Sequence, residues 1–345
     1  MKALCYLGPN QLAVKEQGIP EIGPGEVLIK VAYCGICGTD MLAYHGGMSK
    51  RTKPSVILGH EFSGIIHAVA PGSRFQIGDR VTVEPITSCG ECDSCRKGDY
   101  NLCTVAFNLI GIDSDGGFAE YIKVPEAKVY QLREGITMRH GALVEPLAVC
   151  VHALEKGNVE AGKTVLIVGG GPIGLITALV ARLKGAHAVI SEINPFRIEK
   201  AASLGFEVIN PSAEEFLARV NEWTEGRGAD VSIEATGTHN GVVSCIEATR
   251  TKGTVVIAGL PKRKMDFDFY RIIAKELQLV GTRVYTRKDY DQAIELLQSG
   301  KLDLSSLISK VIPLEEAVDK GFMAIDKGEE SIKILIQVSS EAGMV

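Results

Sequence analysis

Four cysteines in the spacing Cys89-x2-Cys92-x2-Cys95-x7-Cys103 are the most chemically specific residues in this chain of 345 residues. Thiolates this close in sequence can wrap one tetrahedral zinc and leave no coordination position open. Such a site is structural, and it would pin a lobe that has little core of its own. An iron–sulfur cluster competes for the same Cys-x2-Cys-x2-Cys opening. Here, however, the fourth cysteine follows after seven residues instead of three, and no proline comes after it. Unliganded thiols are the remaining alternative.

A second set of chemically active residues is scattered. Cys37 stands in Cys34-Gly35-Ile36-Cys37-Gly38-Thr39-Asp40, His60 and Glu61 in Gly59-His60-Glu61, and Glu145 in Leu143-Val144-Glu145-Pro146-Leu147. Taken separately, each has a dull reading. Cys37 can be half of a Cys-x2-Cys pair, His60 a satisfied structural histidine, Glu145 a helix cap and Thr39 a turn residue. Taken together they supply a thiolate, an imidazole and carboxylates, donor types that can hold a metal and leave a place for substrate, but neither their spacing nor their types alone brings them to one site.

The third feature is Gly169-Gly170-Gly171-Pro172-Ile173-Gly174, a G-x-G-x-x-G sequence directly after the apolar run 164–168. It opens a helical period with Ile173, Ile176, Val180 and Leu183 on one face. Gly169 suits a tight turn, Gly171 a close approach of backbone to pyrophosphate, and Gly174 close helix–strand packing. The helix N-terminus offers free N–H groups to the phosphates. Glu192 lies 21 residues after Gly171, where a carboxylate accepts the ribose hydroxyls and repels a 2′-phosphate. NAD is therefore expected over NADP. Arg197 can flank the adenine and leaves some room for NADP, and Leu260 and Arg283 are further cofactor-side candidates.

These side chains need elements to position them, and the chain has two textures. Residues 1–150 hold eight of the 13 prolines and short β-rich runs such as 26–31, 80–83 and 120–124. That pattern suits an irregular all-β domain. From 151 to 284, apolar strands near 165–168, 188–190, 230–233, 254–257 and 277–280 alternate with helical periods, the first at 172–184. Such alternation predicts a doubly wound parallel sheet of α/β class. The tail, with helical patterns at 289–298 and 314–327 and a strand at 332–336, reads differently again.

Composition narrows the function classes. Thirty-seven Lys+Arg against 42 Asp+Glu give a net charge of −5 and a pI near 5.9, the opposite of a nucleic-acid footprint. The N-terminal apolar run is too short for a signal peptide. The longest uncharged stretch, 165–181, is broken by four glycines and Pro172, so no membrane span is expected. A cytoplasmic protein is the expectation, and there clustered cysteines bind metal more often than they form disulfides.

Several further pieces complete a pattern: Gly-Asp-Arg-Val at 78–81, Gly-Gly-Phe-Ala-Glu-Tyr at 116–121 and Glu-Pro-Leu-Ala-Val at 145–149. With the motifs above, in this order and spacing, the chain resembles the zinc-dependent medium-chain dehydrogenases, in particular the sorbitol/threonine dehydrogenase branch. The resemblance implies a GroES-like irregular β-barrel catalytic domain over 1–150, completed by 285–345, and a Rossmann NAD-binding domain over 151–284. It implies a cleft holding NAD and a catalytic zinc, with Cys37, His60 and Glu61 as ligands. Glu145 would bind that metal directly or through water, and Thr39 would relay the substrate proton. Cys89, Cys92, Cys95 and Cys103 would hold the structural zinc, and the protein would be a homotetramer or homodimer.

Two departures from the family pattern are visible. Many relatives have a histidine five residues after the cysteine ligand, where this chain has Leu42. Tyr44 and His45 are the nearby polar substitutes, and His45 is taken to complete the relay. Sorbitol dehydrogenases carry an Arg-Tyr pair near 284–285, whereas this chain reads Arg283-Val284-Tyr285. If this segment is a strand, the one-residue shift turns the arginine to the other face.

The expected activity is hydride transfer between a secondary alcohol (a polyol, sugar acid or diol) and NAD, reversible with the ketone. A phosphorylated-polyol or amino-alcohol dehydrogenase is the alternative, with Lys50, Arg51, Lys53 and the run Lys262-Arg263-Lys264 as cations for an anionic substrate. A zinc-lobe binding or regulatory protein is the non-enzymatic reading.

Overall fold

The computed structural model describes residues 1–261 and 263–339; Lys262, one of the cations just named, lies outside the described residues. The chain divides into two units, one formed by Met1–Glu145 with Ala293–Val345 and the other by Pro146–Gln292. The first division therefore falls before residue 150. The helix Val144–Lys156 runs unbroken from its second residue into the second unit. The later division falls within the helix Arg287–Gln298, eight residues beyond the expected 284.

The first unit is built on a seven-stranded sheet. Its path runs Ile308–Pro313, Lys333–Gln337, Glu26–Gly35, Glu61–Val69, Arg80–Val83 and Val129–Gln131, and Tyr121–Pro125 also pairs with Glu26–Gly35. The central strand Glu26–Gly35 has eight of its ten residues buried, among them Val27, Ile29, Val31 and Tyr33. Continuous apolar sequence of this kind suits a strand covered on both faces. The C-terminal strand adds antiparallel to it in the register Leu335↔Gly35, Ile336↔Cys34 and Gln337↔Tyr33. The two ends of the chain thus share one sheet, which no local pattern in the sequence could specify. The region 314–327 is less regular than its periodicity suggests: a 3₁₀ turn Leu314–Glu316, a π-helical stretch Ala317–Phe322 and a short helix Met323–Asp326.

The second unit is a six-stranded parallel sheet in the order Glu207–Ile209, His187–Ser191, Thr164–Val168, Ala229–Glu234, Thr249–Ile257, Gln278–Gly281. Counted along the unit this is 3-2-1-4-5-6, the doubly wound order that places a dinucleotide where the order reverses. The reversal lies between Thr164–Val168 and Ala229–Glu234, and the glycine-rich loop follows the first of them. Leu166, Val189, Ile209, Val220, Cys245 and Val255 form one core cluster beneath the helices. Near the end of this unit, the Asp289 carboxylate accepts from the Thr286 backbone N–H and hydroxyl, starting the helix Arg287–Gln298, and pairs with buried His152 at 2.9 Å. Among the described residues, no helix is long and apolar enough to cross a membrane.

Candidate active site and zinc lobe

The four lobe cysteines converge. Their Sγ atoms lie 3.4 Å (Cys92–Cys95), 3.6 Å (Cys103–Cys89), 3.9 Å (Cys89–Cys95) and 3.9 Å (Cys92–Cys103) apart. A tetrahedron with zinc–sulfur bonds of ~2.3 Å has edges of about 3.8 Å. A disulfide would need sulfurs at ~2.05 Å. The spacing therefore fits a closed four-thiolate metal site and no disulfide. Backbone N–H groups point at the sulfurs, Cys92 N to Cys89 and Ala106 N to Cys103, each at 3.3 Å. Such donors hold the Cys103 thiol down to about 6, whereas desolvation pushes Cys95 up to about 11.

The second metal-capable cluster is Cys37, His60 and Glu61, whose ligand atoms all lie within 4.8 Å of one another. Local structure explains the convergence. Cys37 is the N-cap of the helix Gly38–Tyr44, and the Asp40 carboxylate reaches back to accept its backbone N–H at 2.8 Å. Gly59 has φ +96°, and a Cβ there would meet the Cys34 sulfur and the Phe118 ring within 3 Å. Only glycine turns the chain there so that His60 and Glu61 enter the site. Glu61 then begins a strand directly opposite Gly35, two residues before Cys37.

Two residues that the sequence did not single out complete this site. Asp40 is fully buried and its Oδ1 lies 3.4 Å from His60 Nδ1. A carboxylate behind an imidazole sets its ring orientation and leaves Nε2 for a metal. Burial alone would lower the His60 pKa, but Asp40 and Cys37 together raise it well above the ordinary histidine value. Lys333, 3% exposed, forms an ion pair with Glu61 and donates to the Ile36 carbonyl at 3.1 Å. Asp40 had a local signal, its place three residues after Cys37. Lys333 had none, since it reaches the site only through the pairing of the C-terminal strand.

The remaining expected site residues are distributed as follows. Glu145 is buried at the second position of the helix Val144–Lys156 and raises the pKa of Lys333, but it is outside the three-residue cluster. Thr39 is half-buried in the first turn after Cys37. His45 is exposed, with its Nδ1 2.9 Å from Asn10 Oδ1 and its Nε2 2.9 Å from Asp326 Oδ1. Both of its ring nitrogens are thereby engaged away from Thr39. Leu260 is exposed just beyond the strand Thr249–Ile257, and its carbonyl packs against Gly237.

Arg283 is exposed, but the alternating-strand argument for it does not hold. The strand Gln278–Gly281 ends before it, and Val284 sits at φ +51°, a conformation costly for a β-branched residue. Tyr285 is fully buried against Tyr290, with ring centroids 5.5 Å apart. Arg51 is held by Asp113 and lies over the Phe107 ring, so its charge is already used.

The glycine-rich loop after the strand Thr164–Val168 is set by its glycines. Gly169 takes φ +110°, and a Cβ on Gly174 would fall 1.8 Å from the Gly169 carbonyl oxygen. Both must be glycine for the protein's own sake. Gly171 differs, because a Cβ there would meet nothing nearer than Arg197 Nη1 at 3.8 Å. It is also the N-cap of the helix Pro172–Leu183 and provides no side-chain cap, leaving the first N–H groups to an anion.

Glu192 closes the strand His187–Ser191 and accepts from Gly170 N at 2.7 Å, Ile193 N at 2.7 Å and Asn194 N at 2.9 Å. The carboxylate thus shapes the loop. A Gly171→Ala protein should fold normally but bind NADH roughly tenfold or more weakly, since its methyl takes up ligand space. Gly174→Ala should lose both melting temperature and affinity. Wild-type NADH affinity in Gly171→Ala, by fluorescence titration, would contradict this reading of the loop.

Two metal-capable clusters and a dinucleotide loop on a 3-2-1-4-5-6 sheet define a zinc-dependent oxidoreductase. Residues 23–134 match the family described as Alcohol dehydrogenase GroES-like domain, and residues 172–299 the one described as Zinc-binding dehydrogenase. The chain is 36% identical to 2-dehydro-3-deoxy-L-galactonate 5-dehydrogenase of Pseudoalteromonas atlantica, covering 99% of this chain and 100% of that one. It is 37% identical to sorbitol dehydrogenase of Halalkalibacterium halodurans, covering 97% and 99%. The crystal structure of 2R,3R-butanediol dehydrogenase from Bacillus subtilis superposes with a TM-score of 0.90 at 31% identity, covering 98% and 99%. The chain belongs to the zinc-dependent medium-chain alcohol dehydrogenase family.

Proposed function

We propose that this protein oxidises a secondary hydroxyl of a polyol or sugar acid to the ketone with NAD as acceptor, the reverse reduction being equally allowed. The observation that carries the reading is the Cys37–His60–Glu61 cluster, with donor atoms within 4.8 Å and Asp40 behind the imidazole. Zinc held there would supply Lewis acidity toward the substrate hydroxyl, and bound NAD would supply the hydride acceptor. The chain's own residues do the rest. Cys37, His60 and Glu61 hold the metal, Asp40 keeps the imidazole in register, and the Thr39 hydroxyl takes the substrate proton while passing its own proton on to water. Gly169–Gly174 seats the pyrophosphate and Glu192 holds the ribose hydroxyls. We assign no relay step to His45, whose ring is tied to Asn10 and Asp326.

A polyol or sugar-acid substrate is supported by the names of the two relatives above and by Glu61, whose carboxylate takes the third ligand position. The phosphorylated-substrate alternative loses one of its cations, since Arg51 is committed to Asp113. A purely regulatory zinc lobe leaves the second donor cluster without a purpose. The test is NADH formation across a panel of polyols, diols, sugar acids, phosphorylated polyols and threonine, with NADP as the competing acceptor. Highest kcat/KM on an unphosphorylated polyol or sugar acid with NAD is expected. Activity confined to threonine or a phosphorylated polyol, or a preference for NADP, would overturn the corresponding part.

A cytoplasmic location and self-association belong to the same reading. The edge strand Gln278–Gly281 exposes Leu279, and the neighbouring helix Phe269–Ala274 exposes Phe269, Tyr270 and Ile273, each by more than 40%. An apolar edge of this kind favours pairing with a second copy. Sedimentation should report a dimer or tetramer, shifted toward monomer by Leu279→Lys with Ile273→Lys. A monomeric wild type at micromolar concentration would refute it.

A further inference from the structure

We propose that Lys333 is a positioning residue of the metal centre: it grips Glu61 so that this carboxylate is presented to zinc, which makes the C-terminal strand a determinant of zinc affinity. The proposal rests on the reading that Cys37, His60 and Glu61 hold zinc.

The strand Lys333–Gln337 reads Lys-Ile-Leu-Ile-Gln, and its lysine is as buried as its apolar residues. A lysine almost never sits so deep without a partner. Extending the antiparallel register Leu335↔Gly35 by two residues brings Lys333 alongside Cys37, and Ile36 N donates to the Ile334 carbonyl between them. From there the ammonium pairs with Glu61 Oε2 and donates to the Ile36 carbonyl. The ammonium is thus held between the Glu61 carboxylate and a carbonyl of the segment that carries the cysteine ligand.

Gly35 is what makes room. A Cβ there would fall 2.1 Å from Glu61 Oε2 and 3.3 Å from the Lys333 Cε, although no left-handed backbone demands glycine at this position. The glycine of Cys34-Gly35-Ile36-Cys37 therefore serves the ion pair. A buried ammonium against Glu61 also places positive charge beside the anionic thiolate and carboxylate of the cluster. With one oxygen held by Lys333, Glu61 offers the metal its other oxygen in a restricted orientation.

Zinc content and zinc affinity of the full-length protein, measured by mass spectrometry and chelator competition, provide the test. Lys333→Met should keep the lobe zinc and bind the second zinc roughly 10- to 100-fold more weakly, the usual effect of losing a partner that orients a ligand. Lys333→Arg, which keeps the cation, should recover part of that loss. Cobalt substitution should show an altered visible spectrum in the Met variant alone. Unchanged affinity for the second zinc in Lys333→Met would overturn the proposal, as would equal losses in the Met and Arg variants. Should Lys333→Met fail to fold, Lys333→Gln decides, because it keeps a donor of similar length without the charge and should weaken the same zinc, and unchanged affinity in it would overturn the proposal. A wild type binding only the lobe zinc would instead refute the underlying site assignment.

Discussion

Replacing Cys37 or His60 by alanine should reduce turnover by about 10³- to 10⁴-fold while NADH affinity changes by less than about twofold. The magnitude follows from the role of the metal. Lewis-acid stabilisation of developing oxyanion charge contributes several kcal/mol, and each ~1.4 kcal/mol is a tenfold change in rate. Selectivity for turnover follows from the fold, since Cys37 and His60 belong to the first unit and the glycine loop at 169–174 to the second. Asp40→Asn should fall between wild type and these variants, as it removes charge behind His60 but keeps a polar partner. Steady-state kinetics with zinc analysis and a fluorescence titration of NADH provide the check. Turnover retained in both alanine variants would eliminate zinc catalysis at this site.

The second large effect concerns stability. Cys92→Ser combined with Cys103→Ser should remove one zinc per chain and lower the melting temperature by on the order of 10 °C. Structural zinc contributes ~10–16 kcal/mol to isolated finger peptides. The lobe gains less, because its unit also has the buried core of a seven-stranded sheet to hold it. A loss of roughly 4 kcal/mol, at about 2–4 °C per kcal/mol, gives the stated shift. The lobe has few alternatives: its helix Asp93–Arg96 buries no residue, and Leu102 and Val105 are exposed. Catalytic zinc should remain in this variant. An unchanged melting temperature with an unchanged zinc content would remove the lobe from the list of metal sites.

Much of the site was readable before any fold was known, for reasons that differ from residue to residue. The four lobe cysteines lie within fifteen positions of one another, so chain geometry alone brings the sulfurs together. Gly169 and Gly174 signalled themselves because their backbone geometry excludes every other residue. The discontinuous cluster was legible only through the resemblance, since Cys37 and His60 are joined by sheet pairing and not by spacing. The reading failed where it assumed regular structure. Residues 282–285 are no strand, so the face argued for Arg283 has no meaning, and Tyr285 is core. His45, offered as a relay, is held by Asn10 from one loop and Asp326 from the last helix, partners that its local sequence does not announce.

The sequence by itself determined the two textures, the order of the motifs, the closed thiolate lobe and the glycine-loop helix, because each depends on contacts within a few residues or one turn. The tertiary structure alone decided what surrounds the second cluster. Asp40 became the partner of His60 through the turn at Gly59, and Lys333 became the partner of Glu61 because the C-terminal strand pairs beside Glu26–Gly35. Pairing between strands some three hundred residues apart leaves no periodic trace in either segment. What it can leave is a buried charge in an otherwise apolar strand, and a glycine with no backbone reason to be one.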